Sequence, residues 1–189
     1  FDNIVIGAGL TGLGAALGLK SRGKTLVLGA TEQDETRYYP TGKSPSARLG
    51  SGGLGQFWHG VIPLSARMRL GTSSADFETL LKQFYPSPAV TRALNTDTLL
   101  VPWKPIRPAP LFDAMAREET GIVLGTSLAA KITPHADGVS VTLTNGDTVR
   151  ASRAWLAANP LYTPFLLDEY FAARPRQASD HVIGYLGQV

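Results

Sequence analysis

Residues 1–30 read FDNIVIGAGLTGLGAALGLKSRGKTLVLGA, and this stretch decides the fold. Ile4-Val5-Ile6 is a short apolar run rich in β-branched residues, the pattern of one buried strand. Gly7, Gly9 and Gly12 follow at G-x-G-x-x-G spacing. A small-residue helical pattern (Leu13, Ala16, Leu17, Leu19) then runs to Gly23, and a second apolar run covers Thr25 to Leu28. The order is strand, tight turn, helix, strand. In such a unit Gly7 permits the sharp turn out of the strand. Gly9 lets backbone approach a pyrophosphate with no Cβ in the way, and Gly12 lets the helix pack closely on the strand. The helix N-terminus offers free N–H groups and a positive dipole to phosphates. The bland alternative is a glycine-rich turn in another kind of α/β protein; the flanking strands and helix count against it.

Such a unit ordinarily carries an acidic residue at the end of its second strand, which accepts from a ribose hydroxyl. By spacing that position is Gly29. Glu32, Asp34 and Glu35 stand a few residues on and could reach back to it, or water could take the role. A missing carboxylate also fits a 2′-phosphate cofactor, for which Arg37 or Lys24 would be the partner. The stretch says dinucleotide without saying which.

Around it, the 189 residues allow one domain or one and a half. They are 43% hydrophobic and 17% charged, enough apolar material for a core. The net charge is +3, and no basic run interleaves with aromatics, so nothing points to nucleic acid. There are no cysteines, which excludes disulfides, thiolate metal sites and a cysteine nucleophile; no metal site is expected. No apolar run approaches the roughly 18–20 residues of a membrane span. The chain opens on Phe1 and runs straight into a strand, the mark of a removed leader or of a piece of a longer product.

Thr31 to Ser46 is polar, carries Pro40, Gly42 and Pro45, and reads as an extended surface loop. Residues 47–64, ARLGSGGLGQFWHGVIPL, set five glycines (Gly50, Gly52, Gly53, Gly55, Gly60) around Gln56-Phe57-Trp58-His59. No regular helix or strand has that glycine density. Glycines together with aromatics point to backbone running tightly against a flat ligand, walled by rings, rather than to a mobile linker. Ser73 to Phe84 reads as a short amphipathic helix. Tyr85 to Pro110 holds six prolines and reads as irregular, and Leu111 to Thr120 reads as helix. Strands follow at Ile122 to Leu124 and Ser127 to Thr133. A hairpin joins Gly138–Leu143 to Thr148–Ala151 through Asn145-Gly146, and another strand covers Ala154 to Ala158. A last helix is expected from Thr163 to Phe171.

The Rossmann-like opening, the GSGGLGQFWHG loop, the strand GIVLGTSLAAKI with its hairpin, and AWLAANPLYTPFLL occur here in one order. That combination resembles the flavin half of the glucose–methanol–choline (GMC) oxidoreductases and covers nearly all of the chain. The fold class it implies is α/β: a Rossmann-like FAD-binding domain with a parallel sheet plus a β-hairpin or meander, the substrate domain mostly missing. Residues 1–64 and 111–167 would form the FAD-binding domain, 65–110 a Pro-rich insertion, and 168–189 the start of a substrate domain. The resemblance implies FAD contacts at Gly7, Ala8, Gly9, Leu10, Thr11 and Gly12, and at Gly29 and Ala30. It implies others at Arg48, Gly52, Gly53, Gln56, Phe57 and Trp58. Ala129, between Leu128 and Ala130, would meet the adenine, with Ala158 and Asn159 near the adenosine. Thr163-Pro164 matches the Ser/Thr-Pro that opens the family's next helix. Phe57 stands where some members attach FAD through a histidine, so the flavin is expected to be held non-covalently.

The activity implied is oxidation of an alcohol or sugar hydroxyl by hydride transfer to flavin N5. The family's base is a histidine near the C-terminus, outside the likeness, so no catalytic residue is named. Of the three histidines, His59 reads as a hydrogen-bonded loop residue, His135 as a surface turn and His181 as a backbone-binding loop residue. Two other classes stay open: an NAD(P)-binding reductase domain, favoured by Gly29, and a noncatalytic Rossmann-fold binding module.

Overall fold

The computed structural model describes residues 1–32, 35–38, 45–59, 62–63, 94–96, 99–101, 107–158, 166, 177–178 and 183–184. The chain opens with strand β1 (Asn3–Ile6), helix α1 (Leu10–Leu19), a 3-10 turn over Lys20–Arg22, and β2 (Thr25–Leu28). Strands β3 (Thr36–Tyr38) and β4 (Pro45–Arg48) lead to a second 3-10 turn, Gly53–Phe57, and to β5 (Ile62–Pro63). After β6 (Leu94–Thr96) and β7 (Leu99–Val101) come helix α2 (Pro108–Glu118), β8 (Ile122–Gly125), β9 (Ala129–His135), β10 (Gly138–Leu143), β11 (Thr148–Ala151) and β12 (Arg153–Leu156). Two short strands, β13 (Gln177–Ala178) and β14 (Ile183–Gly184), pair antiparallel.

The centre is a parallel sheet in the order β12-β1-β2-β8. Its rows are in register: Val5 stands opposite Trp155 on one side and Val27 on the other, and Val27 opposite Leu124. Every residue of β1 and β2 is buried. This explains why those strands read as unbroken apolar runs rather than alternating ones, since both faces of the sheet are covered. On one face Ile4, Ile6, Leu26 and Leu28 pack against Ile132, Val139, Val141, Leu143 and Leu166. On the other, Val5 and Val27 meet Leu13, Ala16 and Leu19 of α1, and Phe112 and Ala116 of α2. The result is three layers: an antiparallel meander, the parallel sheet, and a pair of helices. The expected α/β fold with a parallel sheet and a meander is the one observed.

Burial on the helix side includes two polar side chains at the start of the strands, and both have partners. Asn3 donates to the Arg22 carbonyl (3.4 Å) and accepts from the Trp155 indole N–H (3.2 Å). Thr25 donates to the Gly23 carbonyl at 3.5 Å. The meander runs β11-β10-β9 and turns at Asn145-Gly146 as expected. There the Gly146 N–H donates to the Leu143 carbonyl (3.0 Å) and Asn145 Nδ2 to the Asp147 carboxylate (2.7 Å).

Three expectations need correction. Thr31 to Ser46 is not one extended loop, because it holds β3 and the start of β4, which pair antiparallel, Tyr38 opposite Pro45. Pro45 opens β4, a strand position that does not need its missing N–H. The proline-rich stretch before residue 110 holds β6 and β7, which pair with each other, and β7 pairs with β5 on its other side. Helix α2 starts at Pro108 rather than Leu111, with proline in its first turn, where the absent donor costs nothing. The helices expected over 73–84 and 163–171 lie outside the described residues, except Leu166.

One contact sets the distance between α1 and the sheet. A Cβ on Gly12 would fall 1.8 Å from the Gly7 carbonyl oxygen and 3.4 Å from the Ala157 methyl. Gly18, exposed on the same helix, would meet nothing within 4 Å. Gly12→Ala is therefore expected to destabilise by more than about 3 kcal/mol, through forced separation of helix and strand. Gly18→Ala should stabilise by about 0.5–1 kcal/mol, because alanine loses less backbone entropy in a helix. Urea unfolding midpoints of the two variants check both signs.

Candidate functional site

A cavity of about 620 Å³ opens at the carboxyl ends of β1 and β2. This is where parallel α/β sheets place their ligands, because the strand-to-helix turns converge there. Its floor is the backbone of Gly7, Ala8 and Gly9, continued by Leu10 and Thr11 as α1 begins. One wall comes from the strand ends Ile6 and Leu28 with Leu128–Ala130; the other comes from Arg48–Gly50, Leu54, Gly55 and Trp58.

That second wall is the glycine-rich loop, and its glycines have specific neighbours. The Gly52 N–H donates to the Ala8 carbonyl at 2.7 Å, and Gly9 and Gly52 form a parallel β-bridge. A Cβ on Gly52 would lie 2.8 Å from the Ala109 methyl. One on Gly53 would be 3.2 Å from Gly9 Cα, and one on Gly55 2.8 Å from Leu10 Cβ. The loop is thus wedged between the start of α1 and the first turn of α2, and side chains would hold it off. Ser51 Oγ donates to the Asp113 carboxylate on α2, and Gln56 Nε2 donates to the Ser51 carbonyl at 3.0 Å.

Gly9 differs from these. Its φ of −69° suits any residue, and a Cβ built on it would meet nothing within 4 Å. Among the described residues no contact demands glycine there, and the position lines the cavity. Just beyond it, α1 has no side-chain cap and no acidic residue in its first turn. The first-turn N–H groups therefore carry their partial positive charge at the cavity uncompensated by a local carboxylate. Arg48 is the charged side chain on the cavity wall among the described residues. Its Nη1 donates to Thr36 Oγ1 at 3.2 Å, and its guanidinium lies 5.5 Å from the centre of the Phe57 ring. Both contacts hold it in place, and the whole arrangement favours an anionic ligand.

Of the positions expected from sequence, Gly7, Ala8, Gly9, Leu10, Thr11, Gly29, Arg48, Trp58, Ala129 and Ala158 line this one cavity. Gly12, Ala30, Gly52 and Gly53 are buried beneath it, where they pack the turn and the loop. Gln56 is turned back onto its own loop. Phe57, 46% exposed, stands behind Arg48 instead of forming the wall, which falls to Trp58. Asn159 lies outside the described residues. Sequence reading missed Ile6 and Leu28 as lining residues, although the ends of parallel strands are a general clue. It also missed Leu49 and Leu54, which carry no motif. His59 is exposed and off the wall; His135, also exposed, bonds Ser140 Oγ at 2.8 Å. His181 is outside the described residues.

Gly29 lines the cavity with φ +93°, and its N–H donates to the carbonyls of Gly125 (3.1 Å) and Ser127 (3.0 Å). A side chain there would be strained, which accounts for the absent carboxylate. Glu32 is exposed, and its charge acts on Arg117 of α2. Lys24, the candidate partner for a 2′-phosphate, precedes the first residue of β2 and sits over the Phe1 ring at 5.3 Å, at the strand end away from the cavity. That candidate role is overturned.

Asp113 joins the loop to α2 electrostatically. Burial pushes its carboxyl up, but hydrogen bonds from Arg117 (2.8 Å) and Ser51, with the Arg117 charge, outweigh this and hold it below the usual range. A carboxyl lowered in the folded state stabilises above its unfolded value and loses that contribution as pH falls through the folded one. The stability advantage of the native chain over Asp113→Asn should therefore be flat above about pH 5. It should shrink as pH falls below the ordinary value of 3.8, read as the difference in thermal midpoint across a pH series.

No family model matches the sequence, and no curated protein matches it. Solved structures that are similar to it include an oxidoreductase from Agrobacterium tumefaciens, with 15% identity over 82% of this chain and 35% of that one and a TM-score of 0.44. NikD, an unusual amino acid oxidase essential for nikkomycin biosynthesis, matches at 20% identity over 87% of this chain and 52% of its own, with a TM-score of 0.43. GidA from Aquifex aeolicus matches at 16% over 82% and 24%, with a TM-score of 0.49. The chain spans less than two thirds of the length of each. The α/β fold stands on the strand order and registers given above.

Proposed function

We propose that this chain is the FAD-binding part of an oxidoreductase of GMC type, acting on an alcohol or sugar hydroxyl. The observation that carries the reading is Gly9: a glycine required by no contact among the described residues, set between an uncapped helix N-terminus and the cavity. A pyrophosphate is the group that needs backbone approach, N–H donors and positive potential at one point. The residues present fit a dinucleotide. The cavity lies within the roughly 300–1,000 Å³ typical of small-molecule sites. The donors among its described lining residues are backbone amides, the Thr11 hydroxyl, the Trp58 indole N–H and the Arg48 guanidinium.

When bound, FAD supplies the N5 acceptor for a hydride from the substrate C–H. This chain's own residues have simpler tasks. Gly7, Ala8 and Gly9 admit the pyrophosphate, the amides of Leu10 and Thr11 donate to it, and Arg48 balances its charge. Leu128, Ala129 and Ala130 offer an apolar edge and backbone to the adenine, with Ala158 beside them. Trp58 gives a flat wall and, with Leu54, keeps water from that side. Gly12, Gly52 and Gly53 act beneath the surface by allowing the turn, the helix and the loop to close up. No covalent link to the flavin is proposed. The alcohol or sugar and the electron acceptor would be bound outside the residues assigned here.

The test is titration of the purified apo protein with FAD, NADH and NADPH, followed by fluorescence. FAD should bind, and acid precipitation should release it intact into the supernatant. Gly9→Leu should weaken FAD binding by more than about tenfold, a cost above about 1.4 kcal/mol, while leaving the thermal midpoint of the apo protein unchanged. A protein that binds NADPH and ignores FAD would instead support the reductase reading that Gly29 favours. One that binds none of the three would be a noncatalytic module.

A further inference from the structure

We propose that Ser51 and Asp113 are positioning residues: their hydrogen bond fixes the glycine-rich loop along α2 and so sets the shape of the cavity wall. In naming FAD as the ligand this rests on the reading above; as a statement about the loop it does not. Neither residue lines the cavity, whereas Leu49 and Gly50 before Ser51, and Leu54 and Gly55 after it, do. Ser51 directly precedes Gly52, whose N–H bonds Ala8 and which bridges Gly9. A shift of Ser51 is therefore passed to the cavity floor through a single peptide unit.

The surface on which the loop rests explains why a directional bond is needed. Gly52 and Gly55 both press on the methyl of Ala109. A glycine backbone on an alanine is a close but smooth contact, with no protruding side chain to resist sliding. Glycine-rich backbone also loses the most conformational freedom on becoming ordered, so the loop has the least intrinsic tendency to hold one register. The Gly52–Ala8 bond fixes the loop against the turn after β1; against α2 the Ser51 hydroxyl supplies the register mark, and Asp113 is a firm base for it. Asp113 follows Phe112, which is buried in the helix-side core, and its other carboxylate oxygen is held by Arg117 one turn on. Gln56 then fastens the far side of the loop back to the Ser51 carbonyl.

Two measurements test this. The first is hydrogen exchange of the ligand-free protein, resolved at the Gly52 amide. Ser51→Ala should speed exchange there at least several-fold while the amides of β1 and β2 keep native protection. The second is FAD titration of Ser51→Ala, Asp113→Ala, the double variant and Ser51→Thr. Each alanine variant should bind about tenfold more weakly, the loss expected for one hydrogen bond to a charged group. The double variant should be no weaker than Asp113→Ala, since both remove one interaction, and Ser51→Thr, which keeps the hydroxyl, should recover most of the affinity. Unchanged Gly52 exchange in Ser51→Ala overturns the proposal, as do additive losses in the double variant. If Asp113→Ala fails to fold, Ser51→Ala and Ser51→Thr decide. If the native protein does not bind FAD, the functional reading falls and the exchange measurement alone decides this one.

Discussion

The close approach at Gly7 and Gly12 governs the rest of the structure. Three pieces of backbone pass through one point: the turn out of β1, the first turn of α1, and the end of β12. A Cβ on Gly7 would lie 2.6 Å from the Ala157 carbonyl oxygen, and one on Gly12 1.8 Å from the Gly7 carbonyl oxygen. Because neither exists, α1 lies low on the sheet, and Leu13, Ala16 and Leu19 reach Val5 and Val27. The same approach lowers the start of α1 into the floor of the cavity. Packing and site are thus consequences of one contact, which ties the stability of the fold to the geometry of the ligand region.

Glycines that touch the candidate site separate by what surrounds them. Gly12, Gly52 and Gly55 are explained by protein atoms that a side chain would strike. Gly9 has no such explanation. The argument for a ligand therefore rests on a residue whose backbone is held by Gly52 but whose missing side chain would point into open cavity. Arg48 adds the sign of the ligand's charge, since the nearby helix end contributes positive potential as well.

Much of this was legible in the sequence where the signal was local. β1, α1 and β2 read correctly because buried strands in a parallel sheet are unbroken apolar runs and the glycine spacing fixes the turn. β10 and β11 read correctly because Asn145-Gly146 marks their hairpin. β3 with β4, and β6 with β7, were missed because three- and four-residue strands among prolines and glycines carry almost no periodicity. α2 was placed late because Pro108 and Pro110 read as breakers, although the first turn of a helix tolerates both. In the site, backbone positions were legible and side-chain directions were not: Phe57 and Trp58 are adjacent aromatics with the same signal, and only the fold turns one to the cavity and the other onto Arg48. The Ser51–Asp113 pair, 62 positions apart, has no sequence signature at all.

The position of β1 in the sheet has a consequence for biosynthesis. β1 precedes β12 by most of this sequence, yet it sits between β2 and β12, so one of its hydrogen-bonding edges stays vacant until residues 153–156 leave the ribosome. β2 waits likewise for β8, across a long intervening stretch. Pairings this distant in sequence form slowly, because loop closure precedes any stabilising contact. Until then Ile4, Val5, Ile6 and Val27 are open apolar strand surface on a nascent chain, the kind of segment that chaperones hold and that aggregates when they do not.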